Sequence, residues 1–179
     1  MTWTPDYSAA IGGSATKYEF EVIGTDAAST TDGEIFVITV TNVNRAPSLD
    51  PIDDDSVAEN AAMTTINAGD GGDDQDADLE TITYSCEFDT TDNDTMDTPA
   101  DCSTLEGASF NTTTGELDYT PPYTVASFGS PSLREFHITA NDGSDTDDVF
   151  FTITINDTDR APLINDPGNA STPKQSAYS

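Results

Sequence analysis

The residues that could do chemistry in this chain are mostly oxygen ligands. Asp74, Asp76 and Asp78 alternate at the end of an acidic, glycine-rich stretch, residues 69 to 78. Alternate residues of an extended chain point to one side, so these carboxylates could share a face. Such a face suits a hard cation such as Ca²⁺, which takes six to eight oxygens at about 2.3–2.6 Å. The spacing also fits the opening of a helix-loop-helix calcium loop. That motif needs glycine at its sixth position and glutamate at its twelfth. Here those positions hold Leu79 and Ser85, so the motif is rejected. No single loop supplies enough oxygens, and a cation would need ligands from a second segment. The alternative is a solvated acidic loop, as most charge runs are.

Other chemistry finds little support. His137 is the only histidine and falls on the outward side of an alternating run, which argues against catalysis. No serine, cysteine or carboxylate stands out as a nucleophile beside a base. No carboxylate pair is singled out for glycoside hydrolysis. The expectation is therefore a protein that is not an enzyme. Cys86 and Cys102 are close in sequence, and a disulfide between them would close a loop over the Asp- and Thr-rich stretch. An extracellular chain would pair them and a cytosolic chain would leave them reduced. The alternative for Cys86 is a small apolar core residue, since it shares a face with Ile82 and Tyr84. Asn93, Asn111, Asn156 and Asn169 begin Asn-x-Ser/Thr triplets, a few of which a threonine-rich chain contains by chance.

Charge narrows the partners. Thirty-four acidic and five basic residues give a formal net charge of −29. Such a surface repels nucleic acid and anionic lipid and attracts cations. No run approaches the roughly 20 apolar residues that span a bilayer. Met1-Thr2-Trp3-Thr4-Pro5 has neither the charged start nor the apolar core of a signal peptide.

The elements that must position these groups read as short strands. Val57 and residues 63 to 67 suggest two early strands. Ile82, Tyr84, Cys86 and Phe88 share one face of a run from Thr81 to Phe88. Thr114-Gly115 turns into Leu117–Thr120. Phe136, Ile138 and Ala140 alternate inward against Glu135, His137 and Thr139 outward. Asn141-Asp142-Gly143 then turns into a last strand, Val149 to Ile155. About seven strands and no convincing helix predict an antiparallel β-sandwich.

The chain also resembles itself. Val43-Asn44-Arg45-Ala46-Pro47 returns as Thr158-Asp159-Arg160-Ala161-Pro162, 115 positions later. Trp3-Thr4-Pro5-Asp6-Tyr7 matches Tyr119-Thr120-Pro121-Pro122-Tyr123, and Glu19-Phe20 matches Glu135-Phe136, at an offset of 116. Phe36, Ile38 and Val40 fall on Phe151, Ile153 and Ile155 after a one-residue deletion in the loop. Such periodicity predicts tandem repeats. Residues 1–47 read as the second half of one repeat, 48–162 as a complete repeat and 163–179 as the start of a third. The chain is thus expected to be a piece of a longer array. Phe20, Val22, Phe36, Ile38 and Val40 would then lack an opposing sheet, leaving the first part marginal by itself or completed by another chain or the tail. Arg45 and Arg160 are expected to brace the linkers against nearby carboxylates.

Three motifs occur in order: residues 114 to 121 (TGELDYTP), residues 136 to 143 (FHITANDG) and residues 156 to 162 (NDTDRAP). Together they resemble the bacterial cadherin-like, dystroglycan-type repeats found in tandem in large surface and secreted proteins. The resemblance implies an immunoglobulin-like Greek-key sandwich with calcium at the junctions between repeats. By position it implies Asn42, Asn44, Asp74, Asp76 and Asp142 as ligands around the first linker. It implies Glu59, Asp157 and Asp159 around the second. Two departures matter. The Leu-Asp-Arg-Glu motif of animal cadherins is missing, and Tyr119-Thr120-Pro121 stands near its place. The first linker also carries asparagines where animal cadherins favour aspartates, which implies weaker or fewer calcium sites there, because affinity follows ligand charge.

The resulting expectation is an extracellular or cell-surface stalk and adhesion module whose partners are its neighbouring repeats, with cell-surface proteins or glycans beyond them. The second expectation, from a different class, is a carbohydrate-binding accessory domain of a secreted polysaccharide-degrading enzyme. Its binding platform would use Trp3, Tyr7, Tyr119 and Tyr123, although the repeat positions of these residues suit a structural role better.

Overall fold

The computed structural model describes residues 2–69, 80–91 and 95–162. Asp74, Asp76, Asp78 and the expected third-repeat start at 163–179 lie outside the described residues, as does Asn93.

Two strands form a hairpin near the start. Strand β1 (Thr16–Thr25) alternates Tyr18, Phe20 and Val22 with Lys17, Glu19 and Glu21. It pairs antiparallel over its whole length with β2 (Thr31–Val40), from Thr16 opposite Val40 to Thr25 opposite Thr31. The turn is held by Asp26 Oδ1, which accepts from the N–H groups of Ala28 and Thr30. Most of this hairpin is exposed, including Val22, Ile35, Phe36 and Ile38.

Eight further strands build the sandwich. They are β3 (Asp55–Ala58), β4 (Ile66–Asn67), β5 (Thr83–Asp89), β6 (Ala100–Asp101), β7 (Ala108–Phe110), β8 (Glu116–Tyr119), β9 (Ser132–Asn141) and β10 (Thr146–Asn156). One sheet runs β3-β10-β9-β5-β6 and the other β4-β8-β7. Among the described residues there is no α-helix, only one-turn 3-10 segments at Tyr7–Ala9 and Cys102–Thr104. The all-β expectation holds. One pairing departs from strict antiparallel order, since β3 runs parallel to β10, with Val57 opposite Ile155.

The core lies between the sheets. Phe136, Ile138, Ala140, Phe151, Ile153 and Ile155 come from β9 and β10, and Leu117 and Tyr119 come from β8 across the gap. Tyr119 meets Phe136 edge-on at 5.9 Å between ring centroids. Tyr84 and Cys86 of β5 complete the layer, so the alternation read from Ile82 to Phe88 faces inward as expected. Cys86 is bonded to Cys102, whose Cα is 5.5 Å away, which ties β5 to the segment after β6. Gly107 has φ +87°, and a Cβ there would lie 2.0 Å from the Thr120 carbonyl oxygen, so only glycine fits that turn.

One expectation needs correction. The run from residue 63 to 67 keeps only Ile66–Asn67 as strand, because the Met63 N–H turns to the Tyr119 carbonyl. Glu135 lies on the outward side of its strand, as expected, yet is 1% exposed. It lies in register between Asp89 and Thr152, both buried, in a polar row across three strands on the outer side of the sheet. The chain after β5 folds back there, and the Asp97 N–H reaches Asp89 Oδ2 at 2.9 Å. His137, also on that side, is half-buried and stacks on Phe150 at 4.2 Å, with Nε2 3.2 Å from Asp148.

Candidate functional site

The first linker, residues 41 to 54, follows β2 and contacts the sandwich through donors that meet carboxylates. Asn44 Nδ2 donates to Asp142 Oδ2 at 3.1 Å and to Asp145 Oδ2 at 2.8 Å. Asn42 Nδ2 donates to Glu80 Oε1 at 3.2 Å. The Leu49 N–H donates to Asp147 Oδ2 at 2.7 Å, and the Thr152 N–H returns a bond to Asp54 Oδ1. Asp142 sits in the β9–β10 turn. Its Oδ1 accepts the Ser144 and Asp145 N–H groups at 2.7 Å each. The Asp145 N–H above all, with the Ser144 N–H and the Asn44 amide, outweighs partial burial and holds the Asp142 carboxyl below its ordinary value. It is therefore an anion at neutral pH. Asn44 and Asp142 thus meet directly, while Asn42 meets Glu80.

The second linker follows β10. Glu59, one residue past β3, is 2% exposed and lies against it. Its N–H donates to the Asn156 carbonyl, and its carbonyl accepts the Thr158 hydroxyl at 3.0 Å. Glu59 Oε1 accepts the N–H groups of Val125 at 2.9 Å and Ala126 at 2.7 Å. Glu59 Oε2 is buried and has no hydrogen-bond partner among the described residues. A buried carboxylate oxygen left so is costly, unless a positive ligand takes it. Asp157 is half-buried and Asp159 exposed on the same linker. Among the described residues no group of three or more His, Cys, Asp or Glu side chains is already gathered as a metal cage.

Sequence reasoning missed several participants. Glu80, Asp145 and Asp147 receive the first linker but were not singled out, although Asp145 stands three residues after Asp142 in the same turn. The linker arginines were expected on carboxylates. Arg160 instead lies 4.3 Å above the Tyr123 ring, and Arg45 places its guanidinium 4.0 Å above the Tyr7 ring. The matched Thr-Pro-x-Tyr segments carried that signal.

Those matched segments share more than arginine contacts. Phe20 and Phe36 stack at 5.5 Å and 18°, and their counterparts Phe136 and Phe151 at 5.4 Å and 14°. Trp3, the counterpart of Tyr119, packs on Phe20 at 5.5 Å and on Tyr18 at 5.0 Å. Trp3, Tyr119 and the two arginine-bearing tyrosines therefore all serve intramolecular contacts.

No protein-family model matches the chain, and no curated protein matches its sequence. Solved structures are similar at a distance. A mouse clustered PcdhgC3 EC1-3 fragment shares 16% identity with a TM-score of 0.44, over 81% of this chain and 44% of that one. Drosophila N-cadherin EC1-3 shares 12% with a TM-score of 0.43, over 79% and 44%. A SusE-like surface-located polysaccharide-binding protein from Bacteroides thetaiotaomicron shares 10% with a TM-score of 0.36, over 79% and 24%. The chain spans less than half the length of each.

Proposed function

We propose that the chain is part of an extracellular, calcium-stiffened stalk of cadherin-like repeats, with a mechanical and adhesive role and no catalytic one. The observation that carries this reading is Glu59, whose buried Oε2 lacks a hydrogen-bond partner beside a linker bearing Asp157 and Asp159. These three residues would hold the cation, with the Thr158 hydroxyl close by. When bound, Ca²⁺ supplies the positive charge that a buried carboxylate otherwise lacks. It also neutralises acidic ends that would repel each other in a chain of net charge −29.

Two duplications support the tandem arrangement, with residues 1–47 as the end of one repeat, 48–162 as a whole one and 163–179 as the beginning of another. These are the stacked phenylalanine pairs and the arginine-on-tyrosine pairs. The Cys86–Cys102 disulfide fits an oxidising, extracellular or cell-surface location. The first joint fits a cation less well, because the Asn42 and Asn44 amides already donate to its carboxylates. A thermal melt in calcium and then in chelator tests the proposal. Calcium sites in extracellular modules bind at about 10⁻⁴–10⁻³ M. At 10 mM calcium, stabilisation of about 1–3 kcal/mol is expected by mass action. An unchanged melting temperature contradicts the reading.

A further inference from the structure

We infer that Arg160 and Tyr123 form a latch that fixes the second linker, which bears Asp157 and Asp159, against the loop that holds Glu59; the inference rests on the calcium reading above. The geometry runs through one short loop. Tyr123 presents its ring to the Arg160 guanidinium at 4.3 Å and its carbonyl to Arg160 Nη2 at 3.0 Å. Two and three residues later, the Val125 and Ala126 N–H groups hold Glu59 Oε1. Just before it, the Pro121 carbonyl accepts the Asn60 N–H at 2.7 Å. The loop therefore grips Glu59 on one side and the linker on the other. Arg160 directly follows Asp159, so fixing its guanidinium fixes the register of the linker. The arrangement is built twice, since Arg45 lies on Tyr7 at 4.0 Å in the matching segment.

Arg160 is in this view a positioning residue and touches no cation. Charge alone makes the opposite prediction. Removing a cationic side chain beside acidic ligands should strengthen calcium binding. Loss of the latch should weaken it, because the ligands lose their common register. The sign of the effect therefore separates the two.

The test is calcium titration of the whole chain as wild type, Arg160→Gln, Arg160→Lys, Tyr123→Leu and Tyr123→Phe. Arg160→Gln and Tyr123→Leu should each weaken binding by fivefold or more. Arg160→Lys should recover part of the loss, and Tyr123→Phe, which keeps the ring, should stay near wild type. A purely structural contact would lower the melting temperature equally with and without calcium and leave the affinity unchanged. Equal or tighter binding by Arg160→Gln overturns the inference. If the wild-type chain binds no calcium, the functional reading fails, and the latch is judged by hydrogen exchange at the Val125 and Ala126 amides. Faster exchange in Arg160→Gln upholds it, and unchanged exchange overturns it.

Discussion

Asn44 donates from Nδ2 to Asp142 Oδ2 at 3.1 Å, joining side chains 98 positions apart in sequence. The same nitrogen reaches Asp145, so one amide sits between two carboxylates. Its counterpart on the second linker is Asp159, and that of Asn42 is Asp157. The two linkers thus differ where a neutral donor or an anion meets acidic neighbours.

Asn44→Asp should convert the first joint to the second type. The change removes a hydrogen bond to charged groups and places a third carboxylate beside two others, at a cost of about 1–2 kcal/mol. Melts in chelator should show the loss, and calcium should restore more of it than it adds to the wild type. An equal response to calcium in both proteins would contradict this.

Acid should weaken the sandwich through carboxylates held below their ordinary value near 3.8. Burial alone would raise Asp89, but the Thr91, Asp97 and Thr98 N–H groups and the Thr91 hydroxyl outweigh it. Asp142 is lowered chiefly by the Asp145 N–H. A folded value below the unfolded one means the stabilisation is complete above the unfolded value. It is lost as pH falls through the lower, folded values. Reduced self-repulsion at low pH acts the other way. Asp89→Asn separates the two, since it should be less stable at neutral pH and lose less stability than the wild type on acidification. Parallel pH–stability curves for the two would contradict the assignment.

Removing the disulfide should cost about 3 kcal/mol for a loop of this size. Cys86 and Cys102 are 16 positions apart and both buried. Replacing both with alanine should lower the melting temperature by about 6–12 °C at this chain length. A change within 1 °C or so would show that the bridge adds nothing to the folded state.

The β1–β2 hairpin repeats the register of β9–β10 but lacks a covering sheet among the described residues. Local opening follows the number of buried contacts, so its amides should exchange ~100-fold faster than those of β9 and β10. Equal protection in the two hairpins would mean that something covers the exposed face of Phe36 and Ile38.

The sandwich was legible because its core uses period two. Phe136, Ile138 and Ala140 alternate plainly and all face inward. The same alternation puts Glu135 outward but does not foretell its burial, because alternation names a side of the sheet and not what lies over that side. Loop return over Asp89 is a tertiary event with no local signal. The joints were partly legible. Asn44 meets Asp142, two residues singled out by position, whereas Glu80 and Asp147 join through chain geometry that spacing does not encode. Charge alone gave no hint of the Tyr7 and Tyr123 rings, which meet Arg45 and Arg160 because each linker folds back on its own Thr-Pro-x-Tyr segment.

The central claim is that Glu59 helps hold a divalent cation, and Glu59→Gln tests it most directly. Glutamine keeps one oxygen to accept from Val125 and Ala126 but removes the charge from the buried Oε2. In calorimetric titration with calcium, the wild-type chain should bind and Glu59→Gln should lose about tenfold or more in affinity, as fewer charged ligands weaken such sites. Identical isotherms for the two proteins, or no heat from either, would contradict the account.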